Sequence, residues 1–272
     1  MKKLSVITIC YNEPNLEKTC ESIINQTWQD FEWIVVDGGS NETIQKIWDK
    51  YKYRIDTFIS EPDDGIYNAY NKGIKLASGE YINLMNAGDY FYDNNVLDNI
   101  FGRNQNHDED FLYGDTYMSD NNDLYNSYTL QYPEIKDKNY FLYNFVNTQS
   151  AFMKKSLFEK FGYYDENYKI IADWEKCINF ASNGICFKKL NLIVANFNVC
   201  GVSFSKETQP KVFEEFCKIV KKYFTEKEID KEMYKHFSIL ERIFSIKNEM
   251  TKTYKVITIL GIHIKIKRSK KA

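Results

Sequence analysis

Leu4-Ser5-Val6-Ile7-Thr8-Ile9-Cys10 is a short, β-branched and nearly all-apolar run that stops at Tyr11-Asn12-Glu13. Such a run is the pattern of a strand covered on both faces, as in a parallel sheet. Pro14 suits the first turn of a helix, and Leu16, Cys20, Ile23, Ile24 and Thr27 then recur on one helical face. The unit repeats: residues 33–36 read as a second buried strand ending in Asp37-Gly38-Gly39-Ser40. Ser40 is the expected N-cap of a helix carrying Ile44, Ile47, Trp48 and Tyr51. Residues 55–59 predict a third strand, 65–76 a third helix, and 81–85 a fourth strand ending in Asn86-Ala87-Gly88-Asp89. Alternating strands and helices imply an α/β chain with a doubly wound, mostly parallel central sheet flanked by helices.

The second half is less regular. Strands are expected near 111–117, 125–131 and 192–197, and helices near 155–161 and 173–182. Beyond Ser205, Val212, Phe213, Phe216, Val220 and Phe224, then Met233, Phe237, Leu240 and Phe244, predict two helices. The expected organisation is a main domain over 1–204, a helical extension over 205–250 and a basic amphipathic tail over 251–272. At 272 residues and 43% hydrophobic content, the chain is long enough to bury a full core.

Composition excludes several classes of function. The net charge is −2, and a sequence-independent nucleic-acid binder needs a clustered excess of Lys and Arg. Seven of the 36 basic residues lie in 251–272, where there is no acid, which leaves 29 basic against 38 acidic residues in the rest. The six cysteines form no C-x-x-C pair and read as reduced, buried thiols. No apolar stretch approaches bilayer-spanning length and no cleavage site follows Met1-Lys2-Lys3, so a cytoplasmic protein is expected.

G-x-G-x-x-G after the first strand, G-x-x-x-x-G-K-[ST] and G-x-S-x-G are all absent. The histidines, His107, His236 and His263, lie outside the strand-end clusters, so acid or base work falls to carboxylates. Glu13, Asp37, Asp63 with Asp64, and Asp89 each follow a predicted strand, where open α/β sheets bind their ligands. A nucleoside diphosphate can approach so anionic a rim only with a divalent cation, and carboxylate oxygens suit Mn2+ or Mg2+.

The segments 6–13 and 35–40, then Glu61-Pro62-Asp63-Asp64-Gly65-Ile66-Tyr67-Asn68-Ala69-Tyr70-Asn71-Lys72-Gly73, Gly79-Glu80-Tyr81-Ile82 and Asn86-Ala87-Gly88-Asp89, resemble glycosyltransferase family 2 in order and spacing. The resemblance covers roughly the first third of the chain and implies a GT-A fold. It implies that Thr8, Tyr11 and Glu13 line a nucleoside pocket, that Asp37 accepts a hydrogen bond from the base, and that Asp64, Asn71 and Lys72 belong to the donor site. The family's Asp-x-Asp element is similar to Asn86-Ala87-Gly88-Asp89, which leaves Asp89 as the metal ligand and Asn86 in place of the first acid. Gly162-Tyr163-Tyr164-Asp165-Glu166 with Ala172-Asp173-Trp174-Glu175 resembles the family's later acid pair, with Asp173 at the catalytic-base position and Asp115 in reserve. Helix capping is the structural alternative for Asp37 and Asp173, a turn for Asp89 and Asp115, and simple solvation for Lys72.

Asn147-Thr148-Gln149-Ser150 falls where such enzymes place acceptor-facing residues, and Gly201-Val202-Ser203 suits a mobile loop near the diphosphate. In the tail, Ile257, Ile259, Ile262, Ile264 and Ile266 alternate with Lys265, Lys267 and Arg268, a pattern suited to anionic lipid or to a charged edge strand. The resemblance thus implies an inverting, metal-dependent glycosyltransferase that uses a UDP-linked sugar and a saccharide or lipid-linked saccharide acceptor in bacterial capsule, lipopolysaccharide or similar glycan synthesis. A sugar nucleotidyltransferase is the alternative, although its Gly-rich basic loop is missing at Tyr11-Asn12-Glu13. A non-catalytic nucleotide-sugar-binding protein is the other, given Asn86, Gly88 and Ala172.

Overall fold

A computed structural model describes residues 2–103, 105–119, 127–199, 207–229 and 231–232, together with the backbone of 254–259 and 262–267. In chain order the first elements are β1 (Leu4–Cys10), α1 (Leu16–Ile24), β2 (Phe31–Asp37), α2 (Glu42–Tyr51), β3 (Thr57–Ser60), α3 (Ile66–Leu76) and β4 (Tyr81–Leu84). Then come β5 (Tyr90–Phe91), α4 (Val96–Phe101), β6 (Phe111–Ser119), β7 (Tyr128–Leu130), β8 (Ala151–Lys154), α5 (Lys155–Phe161), α6 (Ala172–Ser182), β9 (Phe187–Asn198) and α7 (Gln209–Tyr223). Two strands, β10 (Tyr254–Ile259) and β11 (Ile262–Lys267), follow.

The main sheet runs β3-β2-β1-β4-β8-β6-β9-β5, with β7 paired to β6. Its first four strands are parallel, as the repeated strand-helix pattern requires. The second half is mixed: β8 lies antiparallel between β4 and β6, β6 and β9 are parallel, and β5 is antiparallel to β9. Neither β8 nor β5 is foreseen in the sequence, because four and two residues are too short to show a period.

Register carries the fold into the site. Cys10 pairs with Asp37 and Asp37 with Ser60, so the carboxyl ends of β1, β2 and β3 lie side by side. Beneath that edge Trp33 and Trp48 meet edge-on at 6.3 Å, and Trp48 meets Phe58 at 5.9 Å, tying α2 to the sheet. Trp33 and Trp48 are buried, and a side chain so placed contributes roughly 1.5–3 kcal/mol.

Several local expectations are corrected. The N-cap of α2 is Asn41, not Ser40: its side chain accepts from Thr43 N (2.9 Å) and Ile44 N (3.3 Å). Of the thiols, Cys10, Cys20 and Cys177 are buried, whereas Cys186 is exposed and Cys217 half-buried. The second C-terminal helix expected at 233–244, the loop at 201–203 and the tail's side chains lie outside the described residues.

The chain divides into two compact units, Met1–Ile219 and Val220–Ala272. In the second, Thr225 and Glu228 form a reciprocal cap, and β10 and β11 pair antiparallel from Tyr254↔Lys267 to Ile259↔Ile262. No described helix is long and apolar enough to cross a membrane.

Candidate active site

The loops that leave β1 and β2 are stitched together. Asn12, at φ 53°, donates its backbone N–H to Ser40 Oγ (2.9 Å), and its side-chain oxygen accepts from Asn41 N (2.9 Å) and Nδ2 (2.8 Å). An Asn tolerates this left-handed conformation better than a branched residue does. The turn holds Tyr11 out at the rim, where the residue is 69% exposed. A Cβ on Gly38 would stand 2.7 Å from Asp63 Oδ2 and 3.4 Å from Tyr11, so these three residues converge.

Asp37, at the end of β2, is wholly buried. Its Oδ2 accepts from Ser60 Oγ (2.6 Å), Gln45 Nε2 (2.8 Å) and Ser40 N (3.0 Å). Burial raises its pKa, but these hydrogen bonds outweigh burial and hold the carboxyl below the usual carboxylate range. Its Oδ1 is buried without a partner among the described residues. A buried, ionised oxygen in that state has an acceptor position left unfilled.

At the end of β4, Gly88 takes φ +94°, and a Cβ there would lie 3.1 Å from Glu13 Cδ. Backbone conformation and Glu13 together explain a glycine where an acid was sought. Glu13 Oε1 accepts from Asn15 N and Nδ2, both at 2.9 Å. Asp89 is buried; its Oδ1 accepts from Asn198 N (2.9 Å) and its carboxyl takes a hydrogen bond from Gln149. Burial pushes Asp89 up to about 8. Asn86 Oδ1 accepts from the Tyr70 hydroxyl at 2.6 Å.

Asp173 sits on the first turn of α6, half-buried, with Ile171 rather than Asp173 in the cap position. Its Oδ1 accepts from Trp174 N and faces the Tyr67 hydroxyl, each at 2.9 Å. Burial raises its pKa, more than the hydrogen bonds lower it, and Glu215 adds to the rise. Tyr67 and Tyr70, one helical turn apart on α3, thus touch Asp173 and Asn86 respectively.

Other expected residues are engaged elsewhere. Thr8 is wholly buried, as Asp37 is, and its hydroxyl takes the Trp33 indole N–H at 3.0 Å. Asn71 is buried and clamps Tyr164 through both backbone groups (3.0 Å each) and Glu166 (2.8 Å). Lys72 pairs with Glu61 at 2.7 Å. Asp64 is exposed, while its neighbour Asp63 faces Gly38. Asp115 pairs with Lys189 at 3.4 Å and accepts from Tyr132 N, a structural role. Asn147, Thr148, Gln149 and Ser150 are buried; Thr148 hydrogen-bonds Tyr70 and Gln149 bonds Asp89.

Residues 5–162, more than half of the chain, match the family described as Glycosyl transferase family 2. The chain belongs to that family. A PGL/p-HBAD biosynthesis glycosyltransferase of Mycobacterium bovis is 29% identical over 187 residues, covering 66% of this chain and 70% of the relative. Glycosyltransferase GlyG of Streptococcus pneumoniae is 32% identical over 124 residues, 44% of this chain and 41% of GlyG. Among solved structures, S. aureus TarS 1–349 superposes with a TM-score of 0.59 at 18% identity, covering 91% of this chain and 76% of TarS. Mannosyltransferase PcManGT of Pyrobaculum calidifontis, solved with GDP-Man and Mn2+, gives 0.54 at 18% identity, covering 74% and 58%. The fold of this family 2 chain is therefore GT-A.

Among the described residues no three His, Cys, Asp or Glu side chains gather into a cage. Asp89 is the one buried carboxylate at the β4 end, with Glu13 packed against Gly88 beside it. That lean set suits a hard cation that takes one or two protein carboxylates and completes its shell with substrate phosphates and water.

Sequence reasoning missed Gln45, Ser60, Thr19, Tyr67, Tyr70 and Glu215, and it named Asp63 as a strand-end acid but gave the donor site to Asp64. Thr19 on α1 accepts from Gly88 N (2.9 Å) and donates to Asp89 O (2.7 Å), fixing that turn. Tyr67 and Tyr70 lie inside a quoted motif, but aromatic residues at helical spacing read as core.

Proposed function

We propose that this chain transfers a sugar from a UDP-linked donor to a hydroxyl of a saccharide acceptor in the assembly of a bacterial surface glycan, with inversion at the anomeric carbon. Tyr11 stacks on the base, Asp37 Oδ1 accepts its imide N–H, and Asp63 converges with Tyr11 at Gly38. The complexes of TarS with UDP and with UDP-GlcNAc support a uridine donor by likeness of fold. The mycobacterial relative's name supports a glycan-assembly role.

One observation carries the reading: Tyr67 and Tyr70 of a single helix reach Asp173 and Asn86, so a carboxyl able to accept a proton is tied to the strand end that holds Asp89. Asp173 removes the proton of the acceptor hydroxyl as that oxygen bonds to the anomeric carbon. The bond from that carbon to the diphosphate breaks, and UDP leaves with the electron pair. One base and a single displacement give inversion. Asp89, with Glu13 at its side, would hold Mn2+ or Mg2+, which supplies charge neutralisation for the departing diphosphate. The basic tail, 251–272, is assigned to anionic lipid beside a lipid-linked acceptor at the cytoplasmic face.

The test is release of nucleoside diphosphate from a panel of UDP- and GDP-sugars, with and without Mn2+ or Mg2+. Cation-dependent release from one UDP-sugar, lost in Asp89→Ala, is the expected result. Release from GDP-sugars alone would overturn the uridine assignment. Tight UDP-sugar binding with no turnover across an acceptor screen would favour the non-catalytic alternative.

A further inference from the structure

The Tyr67 hydroxyl has one proton and two acceptors. It lies 2.6 Å from Ile170 O and 2.9 Å from Asp173 Oδ1, both within hydrogen-bond reach. A phenol donates once, so when Tyr67 donates to Ile170 O its contact with Asp173 needs a proton from the carboxyl side. When Asp173 is ionised, the phenolic proton is drawn to Oδ1 and Ile170 O loses it. The two arrangements differ by a hydroxyl rotation and one carboxyl proton.

We propose that Tyr67 is a positioning residue for Asp173, whose phenolic proton alternates between Ile170 O and Asp173 Oδ1 as the carboxyl gains and loses its proton. The inference rests on the reading of Asp173 as the base. In the resting enzyme Tyr67 donates to the carboxylate and aims it. As the acceptor's proton arrives on Asp173, the phenolic proton turns to Ile170 O, and the neutral carboxyl donates to Tyr67. No proton is created or lost.

The surroundings make the switch discrete. Tyr67 is buried, and its ring packs on Tyr164 at 5.4 Å and Tyr70 at 6.0 Å, which leaves hydroxyl rotation as its freedom. Ile170 is fixed from the other side: Glu215 of α7, itself buried, accepts from Lys169 N (2.7 Å), Ile170 N (3.1 Å) and Ile171 N (3.2 Å). Phe216 stacks on Trp174 at 5.0 Å and holds the following turn. The titratable groups around Asp173 are Tyr67 and Tyr70 of α3, Tyr164, Cys177 of α6 and Glu215: Tyr67 and Glu215 act on its carboxyl, and its charge in turn raises Tyr70, Tyr164 and Cys177. Of these, Tyr67 is the one whose side-chain hydrogen bond lowers the pKa of Asp173.

The experiment is a carbon-13 NMR titration of the full chain labelled at the aspartate carboxyl and isoleucine carbonyl carbons, with Asp173→Asn to assign the resonance. In the wild type the Ile170 carbonyl is expected to shift with the midpoint of Asp173. In Tyr67→Phe that midpoint rises by about one pH unit or more, because the carboxylate loses a donor. A purely structural tyrosine would lower Tm and leave the midpoint in place. An Ile170 carbonyl that ignores the Asp173 titration, or a Tyr67→Phe midpoint that stays or falls, overturns the proposal. If the variant does not fold, the wild-type carbonyl still decides. Full donor turnover by Asp173→Asn would instead overturn the base assignment.

Discussion

Asp37 and Asp173 are both carboxylates whose local bonds gather on one oxygen, yet their surroundings drive them apart. Asp37 has three donors on Oδ2, two of them from side chains placed by the β2–β3 register and by α2, and it stays charged. Asp173 has one backbone donor and a phenol that must also serve Ile170 O, and burial with a nearby Glu215 pushes it upward. In the proposed reaction these environments separate the work of the two carboxylates: the fixed charge recognises, and the raised one exchanges protons.

The comparison is tested hardest at Asp173. Asp173→Asn is expected to lower the turnover rate by about 10²–10⁴-fold, the usual contribution of a positioned base, while UDP affinity by calorimetry changes little. Equal loss of binding and rate would merge the two ends into one site. Asp37→Asn should do the reverse. It weakens UDP binding by roughly 10–100-fold, the worth of a hydrogen bond to a charged group, and leaves the rate at saturating donor within a few-fold.

Asp89 provides a pH test of the same contrast. Burial holds its folded pKa up to about 8 against an ordinary 3.8, so the folded state keeps a proton that the unfolded chain has released. The contribution is present in full below about pH 4 and is lost as pH rises towards 8. Asp89→Asn should therefore raise the Tm of the ligand-free protein at pH 7.5 by a few degrees, about 2–4 °C for each kcal/mol, and change little at pH 4. A lower Tm at pH 7.5 would place Asp89 with Asp37, among the carboxylates that the fold keeps ionised.

What the sequence disclosed follows the range of the forces involved. The first four strands were legible because each is a short stretch rich in apolar and β-branched residues between polar breaks, and the ends of the second and fourth carried Asp37 and Asp89 to one edge. The α2 cap slipped from Ser40 to Asn41 because two capping residues stand in succession and only the fold shows that Ser40 is needed by Asn12. Asp63 was passed over for Asp64 because adjacent acids look alike until Gly38 is placed against one of them. Glu215 was invisible: its partners lie more than forty residues earlier, and no local pattern marks a carboxylate that will cap another segment. Asn71 shows the converse, since a motif fixed its position while only the fold shows its amide bonding Tyr164 and Glu166.

The smallest expected effect is at Lys72. It pairs with Glu61 at 2.7 Å, at a site where its partner is 55% exposed, and such surface pairs contribute about 0–1 kcal/mol. Its other contact is Pro62 O at 3.4 Å. Lys72→Ala should therefore change the donor KM by less than about threefold, with stability nearly unaltered. Glu61→Gln frees the ammonium without removing it and distinguishes a spectator from a latent ligand. If Lys72→Ala raises the donor KM tenfold while Glu61→Gln lowers it, Lys72 leaves Glu61 for the diphosphate, and recognition then extends along α3, the same helix whose Tyr67 is proposed to position the base.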